Sequence, residues 1–123
     1  MKLPEMVARW RDAWQSLDPV TIAELYAPKG THMSAVVASR MKRPDGMLTG
    51  PAEIRAYAEA TAAQLDSFQA DILNVIAEET PSDGRASVEY WRTVNGDRTG
   101  RKRVVEIIEW SGDKITACRV FHF

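Results

Sequence analysis

The chain has 123 residues, with 16 basic and 17 acidic side chains and a formal net charge of −1. This length suits a single domain over residues 1–123, with a substantial core and no room for a second. The balanced charge argues against a nucleic-acid partner, no run is apolar enough for a signal peptide or membrane span, and Cys118 has no second cysteine to pair with. A cytoplasmic protein with no membrane partner is expected.

Taken in order, Leu3, Met6, Val7, Trp10, Trp14 and Leu17 recur at spacings of three and four, which predicts one apolar stripe on a helix. Asp18-Pro19 starts a second, shorter helix, with Asp18 suited to the cap and Pro19 to the first turn. Its buried candidates are Ile22, Ala23, Leu25 and Tyr26, and Pro28-Lys29-Gly30 ends it. THMSAVVA, residues 31–38, reads as a strand. It leads into SRMKRPDGMLTG, a polar stretch with the Gly, Pro and charge content of a mobile rim. Gly50-Pro51-Ala52-Glu53 opens a third helix with the stripe Ile54, Tyr57, Ala58, Thr61, Ala62 and Leu65.

From Phe68 onward the pattern is extended. Phe68 to Glu79 and Arg85 to Val94 read as strands joined by Pro81-Ser82-Asp83-Gly84. The runs GRKRVVEIIEW and KITACRVFHF flank Ser111-Gly112-Asp113 and predict a hairpin. Alternation sets Val105, Ile107 and Glu109 on one face of its first strand, against Val104, Glu106, Ile108 and Trp110 on the other. In the second strand Cys118, Val120 and His122 share a face. Neither side of this hairpin is polar, so both need cover. The expectation is an α+β fold, with three N-terminal helices packed on a curved, mostly antiparallel sheet. The helices cover one face. A second copy of the chain is expected to cover the other, giving a homodimer through Trp91, Ile108, Trp110 and Phe121.

The ordered set VARWRDAW, LDPVTIAELYAP, LTGPAEIRAY, GRKRVVEIIEW and GDKITACRVF resembles the cone-shaped superfamily of nuclear transport factor 2, SnoaL-like polyketide cyclases, ketosteroid isomerases and limonene epoxide hydrolases. The resemblance implies a pocket between the helices and the concave side of the sheet. Its lining would comprise Trp10, Trp14, His32, Ser34, Tyr57, Tyr90, Arg92, Val105, Ile107, Glu109, Val120 and His122. The catalytic sets of the relatives do not carry over intact. Trp10 and Ser34 stand where ketosteroid isomerases have an oxyanion-binding tyrosine and the proton-moving carboxylate, whereas Glu109 matches their protonated Asp. Limonene epoxide hydrolases would need carboxylates at Arg92 and Val120, and His32 replaces their water-positioning tyrosine.

Glu109 is the sequence-level candidate for chemistry. A carboxylate beside Val105 and Ile107 should either rise in pKa or find a cation among Arg92, His32 and His122. The first outcome suits acid–base catalysis, and the second makes a structural ion pair with Arg92. No HxH or HExxH spacing supports a metal, and no cofactor is expected. Two functions follow: a small-molecule-binding domain with a largely apolar pocket, or a cofactor-free isomerase, cyclase or hydrolase using Glu109 and a histidine.

Overall fold

The computed structural model describes residues 2–123. Its elements run α1 (Glu5–Ser16), α2 (Pro19–Glu24), β1 (Tyr26–Met33), α3 (Ala35–Arg40), β2 (Met47–Thr49), α4 (Pro51–Gln64), β3 (Phe68–Glu79), β4 (Asp83–Val94), β5 (Lys102–Ser111) and β6 (Lys114–His122). The fold is α+β. One six-stranded sheet has the order β2-β1-β6-β5-β4-β3, antiparallel except where β1 runs parallel to β6. No helix among the described residues is long and apolar enough to cross a membrane.

Local chemistry explains most boundaries. The α1 helix ends where Leu17 turns left-handed at φ 53°, and Asp18 then caps α2 by accepting a hydrogen bond from the Val20 amide. The 31–38 stretch is not one strand. It stops at Met33, and Ser34 caps α3, its Oγ accepting from the Val37 amide at 3.0 Å. The β-branched pair Val36-Val37 suggested a strand, but a serine followed by an apolar turn is also a helix start, and the cap prevails. The supposed rim loop therefore consists of a helical turn, a bend through Gly46 and the strand β2, and the described residues form four helices rather than three.

The core lies between the helices and one face of the sheet. Val7, Trp10, Ile22, Val37 and Ile54 meet Val88, Val104, Ile108, Ile115 and Cys118, all at or near zero exposure. The β5–β6 register decides which face that is. Starting from Ser111↔Lys114, an unbroken ladder would pair Val105 with Val120 and Ile107 with Cys118. Instead Trp110 pairs Ile115 while Glu109 pairs Ala117, so Thr116 bulges out. That one extra residue brings Glu106 opposite Val120, Ile108 opposite Cys118 and Val104 opposite His122.

The outer face, opposite the helices, carries Ile76, Trp91, Val105, Ile107 and Phe121. Ile76 is 70% exposed and Phe121 48%. Ion pairs Arg103–Glu89 and Arg119–Glu109 lie among them. Ile108 and Trp110, expected on this outer surface, are in the core, because they share parity with Val104 and Glu106. Trp110 lies over Gly84 on the neighbouring strand, where a Cβ would overlap its indole ring. Replacing Gly84 with alanine is therefore expected to destabilise the protein by about 1–3 kcal/mol in urea unfolding, through overpacking alone. A change below about 0.5 kcal/mol would show that Trp110 can vacate its place.

Candidate functional site

The site is built around Glu106 on β5, a carboxyl that is 3% exposed. Trp10 reaches it from α1, its Nε1 donating to Oε2 at 2.8 Å. Tyr90 reaches it from β4, its hydroxyl donating to Oε1 at 2.9 Å. The two rings meet edge to face at 5.3 Å, so each braces the other. Neither donor is a cation. Burial consequently pushes the carboxyl up from 4.5 to about 7, with the hydrogen bonds from Tyr90 and Trp10 pulling the other way. At neutral pH Glu106 is divided between its acid and its carboxylate forms.

A second buried group stands beside it. His32 on β1 is enclosed by Trp14, Tyr57 and Tyr26, with ring centres 5.5, 5.6 and 6.0 Å away. The Tyr26 hydroxyl shares a 2.9 Å hydrogen bond with its Nδ1. Burial lowers its pKa from 6.5 to about 4, so the imidazole is neutral under ordinary conditions. Cys118, on β6 between them, is a buried thiol pushed well up by desolvation, then by the charge of Glu106. Ligand atoms of His32, Glu106 and Cys118 all lie within 4.8 Å of one another. The residue types would suit a zinc-like ion, yet ligation needs the carboxylate and the thiolate that this burial disfavours. Both oxygens of Glu106 and Nδ1 of His32 already hold protein partners. The cluster is a hydrogen-bonded floor.

Above this floor is a cavity with about 50 Å³ of solvent-accessible space, room for a few waters. Its walls are aromatic and aliphatic, from Trp10, Trp14, Tyr57, Phe68, Tyr90, Val36, Leu65 and Val120. The buried Trp14 Nε1 hydrogen has no acceptor among the described residues. Arg40, Arg92 and His122 also line the cavity, and His122 is itself exposed to solvent. Burial, then the charge of Arg92, lowers the His122 pKa.

Nine of the twelve residues expected in the pocket line this cavity: Trp10, Trp14, His32, Ser34, Tyr57, Tyr90, Arg92, Val120 and His122. Val105, Ile107 and Glu109 do not. The Thr116 bulge places them on the outer face, where Glu109 pairs with Arg119 at 2.7 Å rather than with Arg92 or a histidine. The inward carboxyl is Glu106, which the sequence reading left on the other side. One signal in the sequence favoured it. Glu106 shares parity with Trp110, and the bulkiest side chain of a strand more often marks the buried face.

A family model described as SnoaL-like domain matches residues 7–118. Among solved structures, a SnoaL-like protein of unknown function from Burkholderia thailandensis superposes with TM-score 0.76 at 17% identity, over 94% of this chain and 89% of that one. A candidate polyketide cyclase from Sinorhizobium meliloti gives 0.74 at 14% identity, covering 97% and 95%. A candidate dehydratase of the nuclear transport factor 2-like family from Streptomyces avermitilis gives 0.76 at 13%, covering 96% and 91%. The search of curated proteins returned no match. At these identities the structural likeness concerns the fold.

The two buried groups oppose each other in pH dependence. Between 4.5 and about 7 the native Glu106 keeps a proton that the unfolded chain has lost, so its contribution to stability falls as pH rises. Between about 4 and 6.5 the unfolded chain protonates His32 while the native one does not, so that contribution falls as pH drops. Their slopes largely cancel where the windows overlap. Glu106→Gln should leave the His32 slope uncompensated. Relative to the native chain, the variant is expected to gain roughly 3 kcal/mol between pH 4.5 and 7 in urea titrations. Parallel stability curves for the two proteins would contradict the buried position of Glu106.

Proposed function

Because the chain belongs to the SnoaL-like domain family over residues 7–118, we propose that it binds a small molecule with a largely apolar body in the chamber above Glu106. The observation carrying this reading is an aromatic-walled cavity that ends on one oriented carboxyl group. Apolar walls with a few converging polar groups are the usual make-up of a ligand pocket. The free space is small, so the part of the ligand that reaches the floor has only a few heavy atoms.

A second reading, catalysis, has its own support in the protonation state of Glu106. A carboxyl poised near pH 7 can accept a proton at one step and return it at the next without a cofactor. In this reading Glu106 removes a proton from a carbon next to a carbonyl and redelivers it elsewhere on the same molecule. His32 is neutral and buried, a wall and hydrogen-bonding group rather than the proton carrier. The printed descriptions of a cyclase and a dehydratase among similar structures are compatible with such proton transfers, although they describe those proteins. A cytoplasmic location belongs to the same proposal and agrees with a free thiol at Cys118.

We also propose a homodimer through the outer sheet face, now with Ile76, Trp91, Val105, Ile107 and Phe121 at the contact. That face is apolar and no helix among the described residues lies over it, and a second copy would present the same surface together with the same paired charges.

Two measurements follow. In a screen of small carbonyl compounds, binders should perturb the fluorescence of Trp10 and Trp14, and a substrate should exchange its α-hydrogen for deuterium in heavy water. Glu106→Gln is expected to keep binding within a few-fold while exchange falls by about 10²–10⁴. Exchange that survives the substitution would assign the chemistry elsewhere. For the dimer, sedimentation at micromolar concentration should give twice the chain mass, and Phe121→Glu should shift the protein to monomer. A native monomer would overturn the assembly.

A further inference from the structure

The cavity contains a charge imbalance that neither proposed function explains. Arg40, in the last turn of α3, and Arg92, on the inner face of β4, both line it. Neither guanidinium has a carboxylate within 4.0 Å among the described residues, although six other arginines of the chain do. Arg40 donates one hydrogen bond to Thr61 Oγ1 at 2.7 Å and lies 5.8 Å from the centre of the Tyr57 ring. Arg92 lies 5.9 Å from the centre of the Phe68 ring. Both are half-buried, and these aromatic contacts leave most of their N–H donors unused.

The two cations face the same cavity. Desolvation lowers the Arg92 pKa, Tyr90 and Tyr57 oppose that shift, and the charge of Arg40 adds a smaller lowering. The one acid lining the cavity, among the described residues, is Glu106. Its oxygens are taken by Trp10 and Tyr90, and it is half protonated near neutrality. Among the described residues it makes no ion pair with either arginine. Two unneutralised guanidiniums lining one cavity are a costly arrangement for packing alone, and planar anions complement them through paired N–H donors.

We propose that the ligand of this chamber is a small organic carboxylate, whose acid group is received by Arg40 and Arg92 and whose apolar body lies between Tyr57, Trp14 and Tyr90 toward Glu106. This rests on the binding function proposed above and names its substrate class. A carboxylate fits better than a phosphoryl group: a flat monoanion suits two half-buried forks, and a dianion would lose more solvation on entry. The arrangement also orders the chemistry. With the acid group held by the arginines, the carbons beyond it are directed toward the proton-carrying Glu106.

The test compares matched acids and amides, butyrate with butyramide and benzoate with benzamide, by tryptophan fluorescence and calorimetric titration at low salt. The native protein should bind the acids at least about 10-fold more tightly than the amides, the advantage expected for charge-assisted hydrogen bonds. The preference should shrink as ionic strength rises. Arg92→Gln and Arg40→Gln should each remove most of it while amide affinity stays within a few-fold, and Arg92→Lys should keep part of it. Because Arg40 is at the end of a short helix, its variant tests the idea even where Arg92→Gln fails to fold. Equal binding of acids and amides would overturn the carboxylate assignment and leave the small-molecule reading standing. Inorganic phosphate binding more tightly than any acid would overturn it in favour of a phosphoryl anion. Binding of none of these compounds would overturn both.

Discussion

The arrangement depends on a buried carboxyl with two neutral donors. Glu106 is enclosed by Trp10 and Tyr90, one from the first helix and one from the adjacent strand. A carboxylate buried without a cation is costly as an ion, and the protein meets that cost by letting the group hold its proton. The Trp10 bond fastens α1 to the sheet, the Tyr90 bond ties β4 to β5, and together they fix the direction of the carboxyl. Fold and site therefore share one interaction, and losing either donor would loosen both.

Around that point the polar groups are layered by depth. At the floor, burial keeps Cys118, Tyr26 and His32 uncharged and leaves Glu106 shared between its acid and carboxylate forms near neutral pH. Higher up, the walls are aromatic. At the half-buried level, Arg40 and Arg92 bring two positive charges with no partner of opposite sign among the described residues. A ligand of the proposed kind would meet charge first, then apolar surface, then a group able to exchange protons.

The exterior follows another logic. The outer face of the sheet carries Trp91 between Arg101 and Arg103, whose guanidiniums lie 4.1 and 5.3 Å from its ring centre. Ion pairs at Glu89 and Glu109 are interspersed with exposed Val105 and Phe121. Such exposed pairs add little stability, but they keep an apolar sheet face from being uniformly sticky. Glu109 belongs to this surface. Its distance from the cavity separates two glutamates only three positions apart, one solvated and paired, one enclosed and proton-bearing.

Much of this was legible in the sequence because it follows from local chemistry. The apolar stripe through Trp10 and Trp14, the Asp18-Pro19 helix start, the Pro51 start of α4 and the strand run from Phe68 each carry their cause within a few residues. The resemblance of ordered motifs supplied the cone fold and nine of the cavity residues. Ser34 was ambiguous because a capping serine and the β-branched residues after it point to different structures. The inward glutamate was out of reach for a stronger reason. Side chains on a strand alternate with a period of two, so a single bulged residue exchanges the two faces without changing composition or hydrophobicity. Sequence alone determined that a hairpin with two apolar faces would hold a glutamate on each. Only the tertiary structure, through the extra residue Thr116 and the reach of Trp10 and Tyr90, decided that Glu106 would be the one inside.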